Sequence, residues 1–298
     1  MNTNTELVEK PIQAAQRGDV RTAFGYPRDF LGNRFVYLTV SPRARGLSVG
    51  VNLNPDKRCN FDCVYCEVDR RVPAANAAFD LSVLAKELES TVALVASGKL
   101  REQSPYSHMP RELLQLRHVA ISGDGEPTLC PQFREAIETV VHVRATSRGP
   151  FFKIVLITNA SNLDAAQVQD GLRLFTRDDE IWAKMDAGTQ EQMNLVNKSE
   201  MPIEKVLSNI LLVARQRPVV IQSLFPVVNG NVPSEQDIEQ YTQRLKELTV
   251  AGAQISLVQI YSATRPTVNP ECGHLPLRTL SRIAQMVRGR TGLKAEIF

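Results

Sequence analysis

Five short apolar runs recur down this chain: HVAIS (118–122), FKIVLIT (152–158), EIWAKMD (180–186), VVIQSLF (219–225) and QISLVQIY (254–261). Between them lies text of helical periodicity, at about 132–144, 164–174, 187–216 with a break near Pro202, 234–249 and 276–290. Runs apolar at nearly every position suit strands covered on both faces, and strands alternating with helices make βαβ units around a parallel sheet. Further upstream, Val36, Leu38 and Val40 share one strand face, and Val49, Val51 and Leu53 share the next. Residues 80–97 form an amphipathic helix with Asp80 as N-cap. Parallel strands therefore begin near 48, 118, 152, 180, 219 and 254, and KAEIF is a short tail. The expected fold class is α/β, with six strands in an open sheet or partial (β/α)6 barrel rather than a closed eight-fold barrel. Residues 1–33 are expected as an N-terminal extension, its first 30 weakly ordered or helical at best, and 34–298 as one domain.

Ligands of such sheets bind at the carboxyl ends of the strands, so the residues just beyond each strand carry the functional argument. After the first strand of the set comes CNFDCVYC, which places Cys59, Cys63 and Cys66 in one loop. The remaining two of the five cysteines, Cys130 and Cys272, stand alone. An odd count with three clustered points to metal binding in a reducing compartment rather than to disulfides. Thiolates suit zinc or iron–sulfur clusters. Structural zinc takes four ligands, and no second Cys pair or spaced His pair exists here. An iron–sulfur cube on three cysteines leaves one iron open.

The C-x3-C-x2-C spacing, with Tyr65 just before the last cysteine, resembles the signature of the radical S-adenosylmethionine (radical SAM) superfamily. The resemblance implies a six-stranded partial barrel of the radical SAM type. It also implies a [4Fe–4S] cluster on Cys59, Cys63 and Cys66, with S-adenosylmethionine chelated at the fourth iron. Reductive cleavage of that cofactor then gives a 5′-deoxyadenosyl radical, which abstracts hydrogen from a substrate.

SGDGEPTL (122–129) resembles the family's glycine-rich motif after the second strand, with Asp124 as a departure. By that likeness Gly123, Asp124, Gly125 and Glu126 hold the cofactor's amino group; an ordinary turn is the alternative. Asn159, after the third strand, either meets the cofactor or caps a helix. Lys184 and Asp186, ending the fourth, bind its carboxylate and ribose, or pair with each other. Tyr65 packs on the adenine or beside the cluster, and Phe61 shields the cluster. Gln222 and Gln259, within otherwise apolar strands, face either substrate or a neighbouring polar group. Arg265 clamps an anion or is a solvated loop residue.

The stretches around both motifs, with KMDAG and YSATRPT, resemble a branch of wyosine-synthase-like and small activase-like members over about residues 36–270. The chain has no cysteine before Cys59, where wyosine synthases carry a second set. The functional expectation is a single-cluster radical SAM enzyme with an unidentified substrate: RNA, a small molecule or a protein. A flavodoxin- or ferredoxin-like donor would supply the electron. The alternatives are an activase for glycyl-radical enzymes and a non-catalytic iron–sulfur or zinc module. Residues 1–48 hold seven Lys/Arg against four Asp/Glu, which accounts for the whole net charge of +3. That excess is a solvated lead-in or favours an anionic partner. No apolar run reaches the ~18 residues of a membrane span and the N-terminus lacks a signal-like apolar core, so a cytoplasmic protein is expected.

Overall fold

The computed structural model describes residues 30–71, 78–104, 106–147 and 149–298. The expectation for residues 1–29 lies outside them. The main sheet contains β1 (Val36–Ser41), β2 (Gly46–Val51), β3 (Leu116–Ile121), β4 (Lys153–Thr158), β5 (Glu180–Lys184) and β6 (Val219–Leu224). A two-residue strand, β7 (Val227–Val228), leaves that sheet, and β8 (Ile255–Tyr261) rejoins it. A second short strand, β9 (Cys272–Gly273), pairs with β7, and β10 (Ala295–Ile297) closes the order β1-β2-β3-β4-β5-β6-β8-β10.

All six expected parallel strands are present, but the sheet has eight strands rather than six. β1 adds antiparallel to β2, and β10 adds parallel to β8. The KAEIF tail is thus the edge strand β10, where Ala295, Glu296 and Ile297 pair with Val258, Gln259 and Ile260. Three residues with two charges carry too little apolar pattern to show as a strand; the free edge of β8 supplies the hydrogen bonds that make it one. Strand twist curls the sheet, and its two edges meet where Arg45 in the β1–β2 turn reaches Glu296 on β10 at 3.0 Å.

The helices are α1 (Leu81–Ala96), α2 (Phe133–Thr146), α3 (Ala166–Leu172), α4 (Gln190–Asn197), α5 (Ile203–Ala214), α6 (Glu235–Val250) and α7 (Leu277–Thr291). Local chemistry sets their starts. Asp80 accepts from the N–H groups of Ser82 (2.8 Å) and Val83 (3.2 Å) to begin α1. Ser234 and Asp237 form a reciprocal capping box at α6. The break expected near Pro202 separates α4 from α5, as a residue with no N–H dictates.

One sheet face carries Leu47, Val49, Val51, Val119, Ile121, Ile154, Leu156, Ile181, Ile221, Val258 and Ile260, all buried in the main core beneath the helices. The concave face differs. Its small apolar cluster of Val155, Trp182 and Val220 is separate from that core. Around it the register sets Ser48 beside His118 and His118 beside Lys153. Lys184 likewise lies beside Gln222, and Gln222 beside Gln259. Alternation along each strand therefore gives a helix-covered apolar face and a polar chamber.

Candidate functional site

The cysteine loop leaves the carboxyl end of β2 and is pinned from two sides. Asp62 and Val64 donate backbone N–H bonds to the carbonyls of Asn197 (3.1 Å) and Val196 (2.9 Å) at the end of α4. The carbonyl of Cys66 accepts from Val268 N–H at 3.0 Å. Below the loop runs the glycine stretch after β3. The N–H of Glu126 donates to Arg58 O at 2.9 Å, so this strand end is clipped to the residue before Cys59. The approach leaves no room for side chains: a Cβ on Gly125 would stand 2.1 Å from Arg58 O, and one on Gly123 2.4 Å from Asn52 Oδ1. Asn52 secures the same turn, donating to Asp124 Oδ2 at 2.7 Å and accepting from Asp124 N–H at 3.2 Å.

Each of the three half-buried sulfurs faces an N–H donor. Phe61 N–H points at Cys59 Sγ (3.5 Å), Asn197 Nδ2 at Cys63 Sγ (3.4 Å) and Arg70 Nη1 at Cys66 Sγ (3.4 Å). Burial pushes the Cys59 thiol up to about 11 and the Cys63 thiol up to about 12, the latter helped by the nearby Asp186 carboxylate. Such thiols stay protonated at neutral pH until a metal displaces the proton.

Two contact chains lead from the sulfurs to the strand ends. The first starts at Cys59, with Asn159 Nδ2 at 4.0 Å from its sulfur and 2.9 Å from Asn60 Oδ1. Asn159 N–H donates at 2.7 Å to Glu126 Oε2. The other Glu126 oxygen accepts from Thr128 N–H (3.1 Å), Thr128 Oγ1 (2.6 Å) and Thr158 Oγ1 (2.5 Å). Burial still raises Glu126 above the usual carboxylate range, against those donors. The residue expected to grip an ammonium thus has both oxygens engaged inside the protein, where they tie the end of β3 to the end of β4. Beyond it Ala160 adopts a left-handed φ of 63°, a strained conformation for a residue with a Cβ. Its N–H reaches Thr158 Oγ1 at 3.0 Å and its carbonyl accepts from Asn209 Nδ2 at 2.9 Å, which holds the turn.

The second chain starts at Cys63. Asn197 Nδ2 also lies 2.8 Å from Asp186 Oδ2 and 3.3 Å from Tyr65 Oη. Tyr65 donates its hydroxyl proton to Asp186. Asp186 accepts further from Leu224 N–H at 2.8 Å and lies 3.4 Å from Lys184 Nζ. The Lys184 ammonium sits 4.7 Å from the centre of the Tyr65 ring and donates to Tyr261 Oη at 3.1 Å. Burial alone would pull Lys184 down; the Asp186 carboxylate and Tyr261 hold it above its ordinary value. The Lys184–Asp186 pairing considered from the sequence is therefore present. Gln222 Nε2 donates to Gln259 Oε1 at 3.1 Å, so these two satisfy each other on adjacent strands. Arg265 lies in a partly exposed loop and pairs with Glu67 at 3.4 Å.

Sequence reasoning missed Asn197, which lies at the last turn of α4. It is far along the chain from the cysteines, and an Asn near a helix end is ordinary capping chemistry. Lys198 turns left-handed there (φ 44°) and ends the helix.

Among the described residues no three His, Cys, Asp or Glu side chains surround one point closely enough to hold a single metal ion. A zinc ion draws its sulfurs to ~2.3 Å of one centre, whereas a cube takes each thiolate on a different iron. Each of the three sulfurs is met by an N–H donor, the kind of surroundings that iron–sulfur clusters use.

No family model matches the chain. It is 24% identical over 272 residues to a UPF0026 protein of Helicobacter pylori, which covers 85% of this chain and 79% of that one. It is 27% identical to a UPF0026 protein of Synechocystis, over 59% of this chain and 57% of the other. A radical SAM methyltransferase from Sphaerobacter thermophilus superposes with a TM-score of 0.60 over 97% of this chain and 76% of its own, at 17% identity. The fold is that of radical SAM enzymes. TYW1 with a lysine-pyruvate adduct bound covers 89% of this chain and 87% of its own, with a TM-score of 0.55 and 14% identity. Streptococcus suis SuiB bound to S-adenosylmethionine gives 0.56 over 86% of this chain and 52% of its own, at 13% identity. No described helix is long and apolar enough to cross a membrane.

Proposed function

We propose that this chain is a radical SAM enzyme whose catalytic domain runs from 34 to 298. In this reading Cys59, Cys63 and Cys66 carry a [4Fe–4S] cluster, and S-adenosylmethionine lies across the strand ends beside it. The observation that carries the reading is the cysteine loop: three sulfurs after the first parallel strand, each met by an N–H donor. Cys59, Cys63 and Cys66 would hold the cluster, which when bound would supply the one-electron reductive cleavage of S-adenosylmethionine that leads to hydrogen abstraction from substrate.

The chain's own residues shape and seal that place. Gly123 and Gly125 let the backbone after β3 lie against the loop, with Asp124 held by Asn52 to face the cofactor's amino group. Glu126 is a positioning residue that keeps β3 and β4 in step and orients Asn159. Tyr65, Lys184 and Asp186 form a preset network in which the ammonium meets the cofactor carboxylate and Asp186 meets a ribose hydroxyl. Phe61, buried beside Cys59, excludes water from the sulfurs. The substrate lies in the polar concave face, and a small flavodoxin- or ferredoxin-like protein delivers the electron.

The test is anaerobic reconstitution with iron and sulfide, then dithionite and S-adenosylmethionine. Expected are about four irons per chain and 5′-deoxyadenosine, both lost when Cys59, Cys63 and Cys66 are replaced together by Ala. One bound zinc and no cleavage would establish a binding module instead.

A further inference from the structure

Arg43 sits in the β1–β2 turn, at the end of β2 remote from the cysteine loop. Its guanidinium carbon lies 4.3 Å from the centre of the Tyr261 ring, at the close of β8. Its Nε is sealed from solvent and has no hydrogen-bond partner. The other orphaned polar atom on this face is His118 Nδ1; its ring stands edge-on to Trp182 at 5.4 Å, on the concave side.

The charges around this chamber otherwise cancel in pairs. Lys153 is bound to Glu180, which also accepts from Trp182 Nε1 at 2.7 Å. Lys184 is matched by Asp186 at 3.4 Å, Arg265 by Glu67 at 3.4 Å, and Arg45 by Glu296 at 3.0 Å. Among the described residues no carboxylate forms a direct ion pair with Arg43; Glu67 and Arg265, paired with each other, are the charges near enough to act on it. A guanidinium does not shed its proton, so it cannot escape burial by neutralising. The Tyr261 ring offsets part of the cost through one face. Its Nε still lacks an acceptor, and a planar fork of donors matches a carboxylate or phosphate bidentately.

We propose that the concave chamber binds an anionic group of the substrate, a carboxylate or a phosphate, on the guanidinium of Arg43, with His118 as a neighbouring polar contact. The proposal rests on reading the concave face as the substrate chamber. Tyr261 joins Arg43 to the strand-end network: its face carries the guanidinium and its hydroxyl accepts from Lys184. An anion on Arg43 therefore lies beside Lys184 and the strand ends.

The experiment uses the full chain without cluster, so its outcome is independent of 5′-deoxyadenosine formation. Thermal unfolding is followed against inorganic phosphate and against acetate, with chloride at equal ionic strength as reference. The wild type is expected to gain stability with one of the two anions beyond chloride, and the more effective anion identifies the class. Arg43→Met should unfold no earlier than wild type without anion, because an unmatched buried charge is gone, and should need at least tenfold more anion for the same gain. Arg43→Gln serves should the Met variant fail to fold. Arg45→Met, in the same turn but exposed, should respond as wild type. An equal gain in both Arg43 variants, or no gain in the wild type with either anion, overturns the proposal. So does loss of S-adenosylmethionine binding by cluster-loaded Arg43→Met, because the anion would then be the cofactor's own carboxylate.

Discussion

Replacing Gly125 by Ala tests whether the clip between the β3 end and the cysteine loop is structural. The φ of Gly125 is not positive, so alanine can adopt the backbone and the obstacle is contact alone. The new Cβ would stand 2.1 Å from Arg58 O and 2.6 Å from Asn54 Cβ, whereas ordinary contact starts near 3.4 Å. The carbonyl must retreat by about 1.3 Å. That stretches the 2.9 Å bond from Glu126 N–H beyond useful length. Losing it costs about 1 kcal/mol, and overpacking against backbone adds ~1–3 kcal/mol. The expected destabilisation is therefore roughly 2–4 kcal/mol, read as a lower urea midpoint at unchanged slope. Arg58 precedes Cys59, so the first sulfur moves with it. Misplacement near 1 Å at a reacting centre can cost ~100-fold, so iron retention and 5′-deoxyadenosine formation should fall together. Gly289→Ala is the control: nothing lies within 4 Å of its Cβ, and in the last turn of α7 it should leave the midpoint unchanged or raise it slightly. A Gly125→Ala protein with wild-type midpoint, iron content and rate would refute the reasoning.

Asn197→Ala removes a donor to Asp186 and Cys63 together; a bond to a charged group is worth ~1.5–3 kcal/mol, so urea unfolding should show that loss, and redox titration of the loaded protein should show a lower cluster potential. His118→Phe should flatten the acid limb of stability. Burial holds His118 down to about 3 against an ordinary 6.5, so wild-type stability is complete above about 6.5 and drains as pH falls toward 3. The slope is ~1.4 kcal/mol per pH unit, and the variant's urea midpoints should lose one proton's share of it. Cys130→Ala and Cys272→Ala should keep the full iron content of the reconstituted protein; loss of half in either would reveal a second cluster.

The six parallel strands were legible because a doubly covered strand cannot hide its apolar run. The cysteine loop was legible because three thiols in one turn have few other uses. What escaped the sequence depends on three-dimensional closure. β10 exists because β8 has a free edge. Asn197 meets Cys63 only because α4 docks its carboxyl end on the loop. Arg43 looks like a turn residue, and only the curl of the sheet brings it to Tyr261. Glu126 follows β3, but spacing gives no information on which way a carboxylate turns, and here Thr128, Thr158 and Asn159 claim it.

The Arg45–Glu296 contact has a mechanical meaning. It joins the two margins of the curled sheet, yet the arginine side chain is 73% exposed, and ion pairs so open contribute ~0–1 kcal/mol. Such a clasp fastens and releases under thermal motion, and it loosens further in brine. The girth of the enclosure is then governed by strand twist rather than by a rivet.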